Sequence, residues 1–253
     1  MKNWLNYFEY NRDHRHEIPW HLGVTVAPKI REPLIHSLLR FQVGESGEGR
    51  HLRRQAATTG DPTYMTCIDL FIKEEQEHAR LMAEVLQRLG AKLLTHHWSD
   101  GCFILLRRLF GLNQELLVLL MPEIIAKRYF RAVYDSVADP VLRSVCEQIL
   151  HDEEGHVAFH TEFLRRALET LSLPRRIFYR TVWRLVFRAS CLVVMLDHRR
   201  ILRETGDSWI KFWWDCGLMF DEVAAGIFSC APIRLQNQAL ALSIPRRESA
   251  GAL

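Results

Sequence analysis

Apolar residues recur every three or four positions along most of this chain, which is the period of an amphipathic α-helix. No stretch convincingly alternates apolar and polar residues as a half-buried strand does, so the sequence predicts an all-α protein. The first 28 residues look irregular or only locally helical. The predicted helices cover residues 32–58, 62–89, 103–137, 140–171, 175–204 and 209–228.

Two of the turns between these helices carry the same start signal. Asp61-Pro62 and Asp139-Pro140 each offer an aspartate as N-cap and a proline for the first helical position. Gly90 is expected to end the helix that starts at Pro62. Residues 95–100 then form a connection long enough to cross a bundle.

Composition narrows the class of protein. The 253 residues are 48% hydrophobic and 25% charged, which is typical of a globular protein with a sizeable core. The net charge of +3 is too small to indicate DNA or a membrane surface as a partner. The start of the chain lacks the apolar core of a secretory signal, and no uncharged apolar run reaches the ~18 residues of a membrane span.

The cysteines are scattered and form no C-x-x-C pair, which disfavours a zinc knuckle, a rubredoxin-type iron site and a thioredoxin motif. A reducing, cytoplasmic location is therefore expected. The cysteines are Cys67, Cys102, Cys146, Cys191, Cys216 and Cys230.

Two tetrads carry candidate chemistry. Glu75-Gln76-Glu77-His78 and Glu153-Glu154-Gly155-His156 each contain the pattern Glu-x-x-His. A carboxylate and an imidazole three positions apart lie on one face of a helix and can bind the same metal ion. One such pair alone is weak evidence, because glutamate is frequent on solvated helix faces.

The turns place the two tetrads in register. The first glutamate of each tetrad lies 14 residues after the turn aspartate, Asp61 or Asp139. Counting 16 residues backwards from the same aspartates reaches Glu45 and Glu123. In a pair of antiparallel helices, residues equidistant from a short turn lie at the same height. One level of the bundle is therefore expected to hold Glu45, Glu75, His78, Glu123, Glu153 and His156.

This set of side chains suits two adjacent metal ions. Carboxylates can bridge and neutralise the ions, and each imidazole can bind one of them. Burying the four carboxylates without a cation would cost roughly several kcal/mol each, unless they took up protons. A polar network without metal is the alternative interpretation.

The arrangement resembles the ferritin-like diiron-carboxylate superfamily, which includes rubrerythrins, bacterioferritins and diiron oxygenases. The resemblance covers residues 32–171 and implies a ferritin-like four-helix bundle that holds two iron ions, or one iron and one manganese, on the six residues. The rest of the chain divides into an N-terminal extension (1–31), a C-terminal helical extension packed on the bundle (172–244) and a tail expected to be disordered (245–253).

Neighbouring residues extend the predicted site. Glu74 and Asp152 each precede a tetrad glutamate, and similar sites keep a carboxylate there to accept the second N–H of a ligand histidine. An exposed acid is the alternative at both positions. Glu48, one turn beyond Glu45, is the alternative ligand on the first helix. His160 also faces inward and is either an additional ligand or a histidine of the core.

Two features lie outside the predicted bundle. Arginines recur every four residues in the fifth helix and predict a solvated face or internal salt bridges. The alternative is a docking face for an acidic reductase, an acyl carrier protein or a lipid surface. The arginines are Arg176, Arg180, Arg184 and Arg188. An aromatic cluster in the sixth helix is expected to pack against the bundle or to wall a substrate pocket. It consists of Trp209, Phe212, Trp213 and Trp214.

The favoured function is an oxidoreductase that uses two metal ions and O2 to oxidise or hydroxylate a small organic substrate. The sequence has no flavin, nicotinamide or iron–sulfur motif, so electrons are expected from a separate reductase. Open alternatives are a rubrerythrin-like peroxidase, a ferroxidase or iron store, a tRNA-modifying hydroxylase whose arginines bind phosphates, and a metal-free binding module. A homodimer is also left open.

Overall fold

The computed structural model describes residues 1–94 and 111–228, and within these ranges all regular secondary structure is helical. The prediction of an all-α protein is confirmed. A short 3-10 turn occupies Trp20–Leu22. The helices are α1 (Lys2–Asp13), α2 (Pro28–Glu45), α3 (Arg50–Ala57), α4 (Pro62–Arg88), α5 (Leu112–Ser136), α6 (Pro140–Ala167), α7 (Leu173–Asp197), α8 (Arg199–Glu204) and α9 (Trp209–Phe228).

The two Asp-Pro turns start helices as predicted. The Asp61 carboxylate accepts hydrogen bonds from the backbone N–H groups of Thr63 and Tyr64, at 2.9 and 3.1 Å. The Asp139 carboxylate accepts one from the backbone N–H of Leu142, at 2.8 Å. These bonds satisfy N–H groups that have no partner within the helix, so both aspartates are N-caps.

The predicted continuous helix over residues 32–58 is wrong. It is two helices, because α2 ends at Glu45 and α3 begins at Arg50. Between them, Gly49 has a φ of 65°, a left-handed conformation that an α-helix cannot contain. A Cβ at Gly49 would also lie 2.4 Å from the side chain of Ile72, so the break is held against α4.

Other boundaries also differ from prediction. The segment 175–204 is two helices that meet at His198. The start of the chain contains one helix, α1, of 12 residues, which agrees with the expectation of local helix there. Pro122 lies inside α5, which continues on both sides of it. The connection at 95–100, the start of the third helix at 103 and the tail at 245–253 lie outside the described residues.

Helix pairs build the interior. α5 packs along α6, α2 packs along α4, and α4 also contacts α6. α1 lies on α4, while α7 and α9 pack on each other and α9 also contacts α5 and α6. The core contains the fully buried rings of Phe8, Phe71, Tyr129, Phe130 and Phe159. No described helix combines the length and the hydropathy that crossing a membrane requires.

The arginines of α7 mostly bridge to α9. Arg184 pairs with Asp221, and Arg188 donates to the backbone carbonyl of Trp213 at 2.8 Å while lying over its ring. Arg176 donates to the carbonyl of Leu171. The internal-contact interpretation therefore describes these three better than a free basic face does.

The aromatic cluster at the start of α9 divides between the interior and the surface. Phe212 is fully buried, and the Arg128 guanidinium lies 5.4 Å from the centre of its ring. Trp213 is half-buried, whereas Trp209 and Trp214 are exposed. Packing against the interior therefore accounts for only part of the cluster.

Gly155 lets α1 approach α6. A Cβ at this position would lie 2.2 Å from the Oη atom of Tyr7, whose ring is buried between the two helices. We expect Gly155→Ala to lower the free energy of unfolding by about 1–3 kcal/mol, because the ring must move in a packed interior. Urea denaturation measures the change.

Gly44→Ala is the matched control, since nothing lies within 4 Å of a Cβ at Gly44 and the residue belongs to a helix. This variant should be as stable as the wild type or more stable, by up to about 1 kcal/mol. Equal effects of the two substitutions would show that the contact with Tyr7 does not constrain the packing of α1.

Candidate metal centre

Side chains from α4 and α6 converge in the interior. The donor atoms of Glu75, His78 and Glu153 all lie within 4.8 Å of one another, close enough for one ion to contact all three. His78 and Glu153 are buried, and Glu75 is nearly so. The two tetrads recognised in the sequence therefore meet in space.

Both imidazoles turn their Nδ1 atoms toward the same two carboxylates. The Nδ1 atom of His156 lies 3.0 Å from Glu75 Oε1 and 3.7 Å from Glu153 Oε2. The Nδ1 atom of His78 lies 3.8 Å from an oxygen of each carboxylate. Despite this proximity, neither Nδ1 atom has a hydrogen-bond partner. The atoms that face one another here are all potential metal donors.

The other ring nitrogens are fixed by the two outer carboxylates. The Nε2 atom of His78 is 2.9 Å from Asp152 Oδ2, and that of His156 is 2.8 Å from Glu74 Oε2. A carboxylate accepts from an N–H, so each ring carries a proton on Nε2 and turns Nδ1 toward the inner carboxylates. The hydrogen bonds and charges of the neighbouring carboxylates outweigh burial and raise the pKa of both imidazoles, so a metal ion at Nδ1 would replace a proton. The bonds cross between helices, because each outer carboxylate holds the histidine of the other helix.

Arg15 joins the outer carboxylates, and it was not found from the sequence. Its guanidinium contacts both oxygens of Asp152, at 3.0 and 2.8 Å, and lies 3.7 Å from Glu74 Oε1. Gln148 adds a hydrogen bond to Asp152, at 2.9 Å. No local motif marks Arg15, because Asp152 is 137 residues away along the chain.

Two further glutamates approach from other helices. Glu45, at the end of α2, lies beside Glu75, and Glu123 of α5 is buried near Glu153. Neither oxygen of Glu123 has a hydrogen-bond partner. The structure does not bring Glu48 to the cluster, because its carboxylate is 65% exposed and pairs with Arg50.

His160 lies at the edge of the cluster. It is fully buried, its Nε2 atom is 3.6 Å from Glu123 Oε1, and neither ring nitrogen has a hydrogen-bond partner. Its ring packs edge-on against Phe71. Burial and the neighbouring His156 lower its pKa to about 3, so the ring is neutral. This geometry fits both interpretations of His160, as an additional metal ligand and as a histidine of the core.

Burial beside one another and beside two imidazoles shifts the pKa values of the four glutamates. Burial, reinforced by nearby carboxylates, raises the pKa of Glu45 and of Glu123 well above its ordinary value. Burial also raises the pKa of Glu153. For Glu75, burial is outweighed by the imidazoles of His156 and His78 and by Glu45, and its pKa is lowered. A cation between these groups would favour the ionised form of every carboxylate.

Comparisons with protein-family models, curated proteins and solved structures found no match to this chain. The candidate centre therefore stands on its own geometry. Unpartnered, buried donor atoms that face one another are the feature that a bound metal would explain. The described residues fit such an ion by donor type, by burial and by the orientation of both imidazoles.

Arg15 should stabilise the fold through Asp152. We expect Arg15→Ala to lower the free energy of unfolding of the metal-free protein by about 2 kcal/mol, since Asp152 is fully buried and loses a bidentate partner. Arg15→Lys should recover part of the loss. Arg12→Ala is the control, because Arg12 is exposed and pairs with the exposed Asp13, and it should leave the stability unchanged.

The raised pKa of Glu123 predicts a pH dependence of the metal-free protein. Below about pH 4.5 the carboxyl is protonated in both states, so Glu123→Gln should have little effect there. As pH rises, the unfolded chain ionises first, and the wild type loses stability that the glutamine variant keeps. The difference should grow by at most about 1.4 kcal/mol per pH unit.

Chemical denaturation between pH 4 and pH 8 measures this difference. Glu154→Gln is the control, because Glu154 is exposed on the same helix as Glu153 and its substitution should give a pH profile parallel to that of the wild type. A Glu123→Gln profile that also stays parallel would contradict the assignment of Glu123 as a buried, protonated carboxyl.

Proposed function

We propose that this protein is an oxidoreductase of the ferritin-like diiron-carboxylate kind. In it, two iron ions, or one iron and one manganese, activate O2 to oxidise or hydroxylate a small organic substrate. The observation that carries the proposal is the convergence of buried donor atoms that have no hydrogen-bond partner. Those atoms are Glu75 Oε1, His78 Nδ1, Glu153 Oε2, His156 Nδ1 and both carboxylate oxygens of Glu123.

The distribution of donors over helices supports two ions rather than one. Two helices, α4 and α6, each supply a Glu-x-x-His pair, while α2 and α5 each supply one glutamate, Glu45 and Glu123. This is the donor pattern of carboxylate-bridged two-metal sites in helical bundles. The four helices α2, α4, α5 and α6 are accordingly the bundle that we assign to the ferritin-like fold.

Charge balance supports the same count. Four ionised glutamates and two neutral imidazoles carry a net charge of about −4, which two divalent ions would neutralise. Hard carboxylates combined with imidazole, and no cysteine in the cluster, favour iron or manganese over metals that prefer thiolates. One iron with one manganese would meet the same donor and charge requirements.

The residues prepare the site in ways that suit redox chemistry. Asp152 and Glu74 orient both histidines so that Nδ1 faces the place where the metal ions would bind, and Arg15 holds the two carboxylates in place. Six side chains shared between two ions leave positions for exchangeable ligands. When bound, the metal pair would supply electrons to O2 and generate the oxidant. Electrons to restore the pair would come from a separate reductase.

Metal content is the first test. Protein loaded with Fe²⁺ without oxygen and then desalted should retain about two irons per chain, measured by plasma mass spectrometry. Glu75→Gln and Glu153→Gln should each retain less than about half of this iron, because each carboxylate lies near the Nδ1 atoms of both histidines.

The chain offers a matched control for each ligand variant. Glu77 and Glu154 lie beside the tetrad glutamates, but Glu77 pairs with Arg80 and Glu154 is exposed. Glu77→Gln and Glu154→Gln should keep the full iron content. If Glu75→Gln and Glu153→Gln keep it too, the metal centre is not where we place it.

Oxygen consumption tests the reaction class separately. Protein loaded with Fe²⁺ should consume O2 measured with an electrode, whereas protein loaded with redox-inactive Zn²⁺ should not. If the protein binds two irons but does not consume O2, the proposed metal centre stands and the proposed oxidoreductase activity is wrong. A single O2-consuming phase that deposits many irons per chain would assign the protein to iron storage instead.

A further inference from the structure

Large apolar side chains are exposed mainly in one part of the molecule. Among the described residues, those exposed outside α7 and α9 are only Leu22, Leu93 and Leu94. Single exposed apolar residues are ordinary, but a concentration of them marks an interaction surface. The concentration on α7 and α9 comprises Leu173, Ile177, Phe178, Val182, Leu185, Leu192, Val193, Leu196, Trp209, Ile210, Trp214 and Leu218.

On α7 these side chains form a continuous stripe. Phe178, Val182, Leu185, Leu192 and Leu196 are spaced by three, four or seven residues, and exposed Ala189 fills the longer gap. The opposite side of α7 is the one that packs inward. Its buried residues are Trp183, Phe187, Cys191 and Met195.

α9 also has an exposed apolar side. Ile210, Trp214 and Leu218 are spaced by four residues and are 60–72% exposed, whereas Phe212 and Phe220 on the opposite side are buried. α9 runs antiparallel beside α7, since Arg188 contacts Trp213 near its start and Arg176 contacts Phe228 at its end. Both helices thus turn apolar side chains away from the core.

The charges along α7 are almost all positive, since its one acidic residue, Asp197 at the C-terminal end, pairs with Arg40. Residues 170–196 contain five arginines and no aspartate or glutamate. Arg184 and Arg188 are engaged with α9, but Arg175 is exposed at the start of the stripe, and Arg199 and Arg200 are exposed just beyond its end. The apolar stripe is therefore flanked at both ends by available cations.

We propose that α7 and α9 form a docking surface for an anionic lipid bilayer. The two helices lie in the plane of the interface, with the apolar stripe inserted among the acyl chains and the terminal arginines on lipid phosphates. Exposed tryptophan, protruding leucine and phenylalanine, and exposed arginines at both ends of the apolar stripe are the chemistry that such an interface selects. This inference is independent of the metal centre.

The charge pattern favours a bilayer over a second copy of the chain. If α7 paired with α7 of another copy in parallel, Arg175 would face Arg175. If the helices were antiparallel, Arg175 would face Arg199 and Arg200. Both arrangements bring like charges together beside an apolar seam, whereas phosphates of an anionic bilayer would neutralise all three arginines.

Vesicle sedimentation with the full-length, metal-loaded protein tests the proposal. The wild type should bind vesicles of phosphatidylcholine mixed with phosphatidylglycerol, and bind vesicles of phosphatidylcholine alone at least about tenfold more weakly. The triple variant Phe178→Ser, Leu185→Ser, Leu192→Ser should lose at least about tenfold in partitioning onto the mixed vesicles. All three side chains are exposed, so the fold should be kept, which circular dichroism checks.

Two matched controls separate the role of this surface from the effects of total exposed apolar area and of net charge. The triple variant Leu22→Ser, Leu93→Ser, Leu94→Ser removes the exposed apolar residues that lie elsewhere and should bind as the wild type does. Arg175→Gln, Arg199→Gln, Arg200→Gln should lose the preference for phosphatidylglycerol. A second triple variant with the same charge change, at exposed positions on other helices, should keep the preference for phosphatidylglycerol. It combines Arg12→Gln, Arg54→Gln and Arg80→Gln.

Several results would overturn the proposal. One is a wild type that does not bind the mixed vesicles. Another is equal loss of binding in the stripe variant and its leucine control. Light scattering supplies a third: a lipid-independent dimer that the stripe variant converts to a monomer would assign this face to a second copy.

Discussion

Repulsion among the buried carboxylates constrains how the four helices that carry them can pack. Glu75 and Glu153 face the same two imidazoles from different helices, and Glu45 and Glu123 lie nearby with pKa values that burial and the neighbouring carboxylates raise. Without water to screen them, these groups can be buried together only if protons or cations lie among them. The apolar packing around them, including Phe71 and Phe159, supplies the burial that offsets this cost.

The outer hydrogen bonds explain how the helices hold such a cluster in one geometry. His78 of α4 bonds to Asp152 of α6, and His156 of α6 bonds to Glu74 of α4. Because the two bonds cross, rotating or sliding either helix would break both of them. Arg15 then ties the two carboxylates together from a third segment. The positions of the inner donor atoms thus follow from bonds made one layer further out.

Much of this arrangement is local and could be predicted from the sequence. The Asp-Pro caps depend on residues within one turn, and the Glu-x-x-His pairs share a face by helix geometry alone. The prediction of Glu45 assumed one helix from Glu45 to the turn, yet the left-handed Gly49 breaks that helix. Glu45 lies beside Glu75 nonetheless, so counting residues reached the correct neighbour through a wrong premise.

Arg15 and the outer face of α7 are features that local sequence patterns do not predict. A contact between residues 137 positions apart leaves no periodic signal, and only the folded chain reveals that Arg15 completes the site. α7 is apolar on two sides, so its pattern predicts a helix without saying which side packs inward. Trp183 decides this in the structure, because its Nε1–H donates to the carbonyl of Leu117 on α5 at 2.7 Å.

The C-terminal helices are therefore part of the same packed unit as the candidate centre. α9 contacts α5 and α6, the helices that carry Glu123 and Glu153, and a Cβ at Gly226 would lie 2.9 Å from the Thr161 side chain. Substitutions on the buried sides of α7 and α9 would disturb both regions at once. Those on the exposed stripe leave the interior contacts intact. The division of each helix into a packed side and an outer side is what allows docking and metal binding to be tested separately.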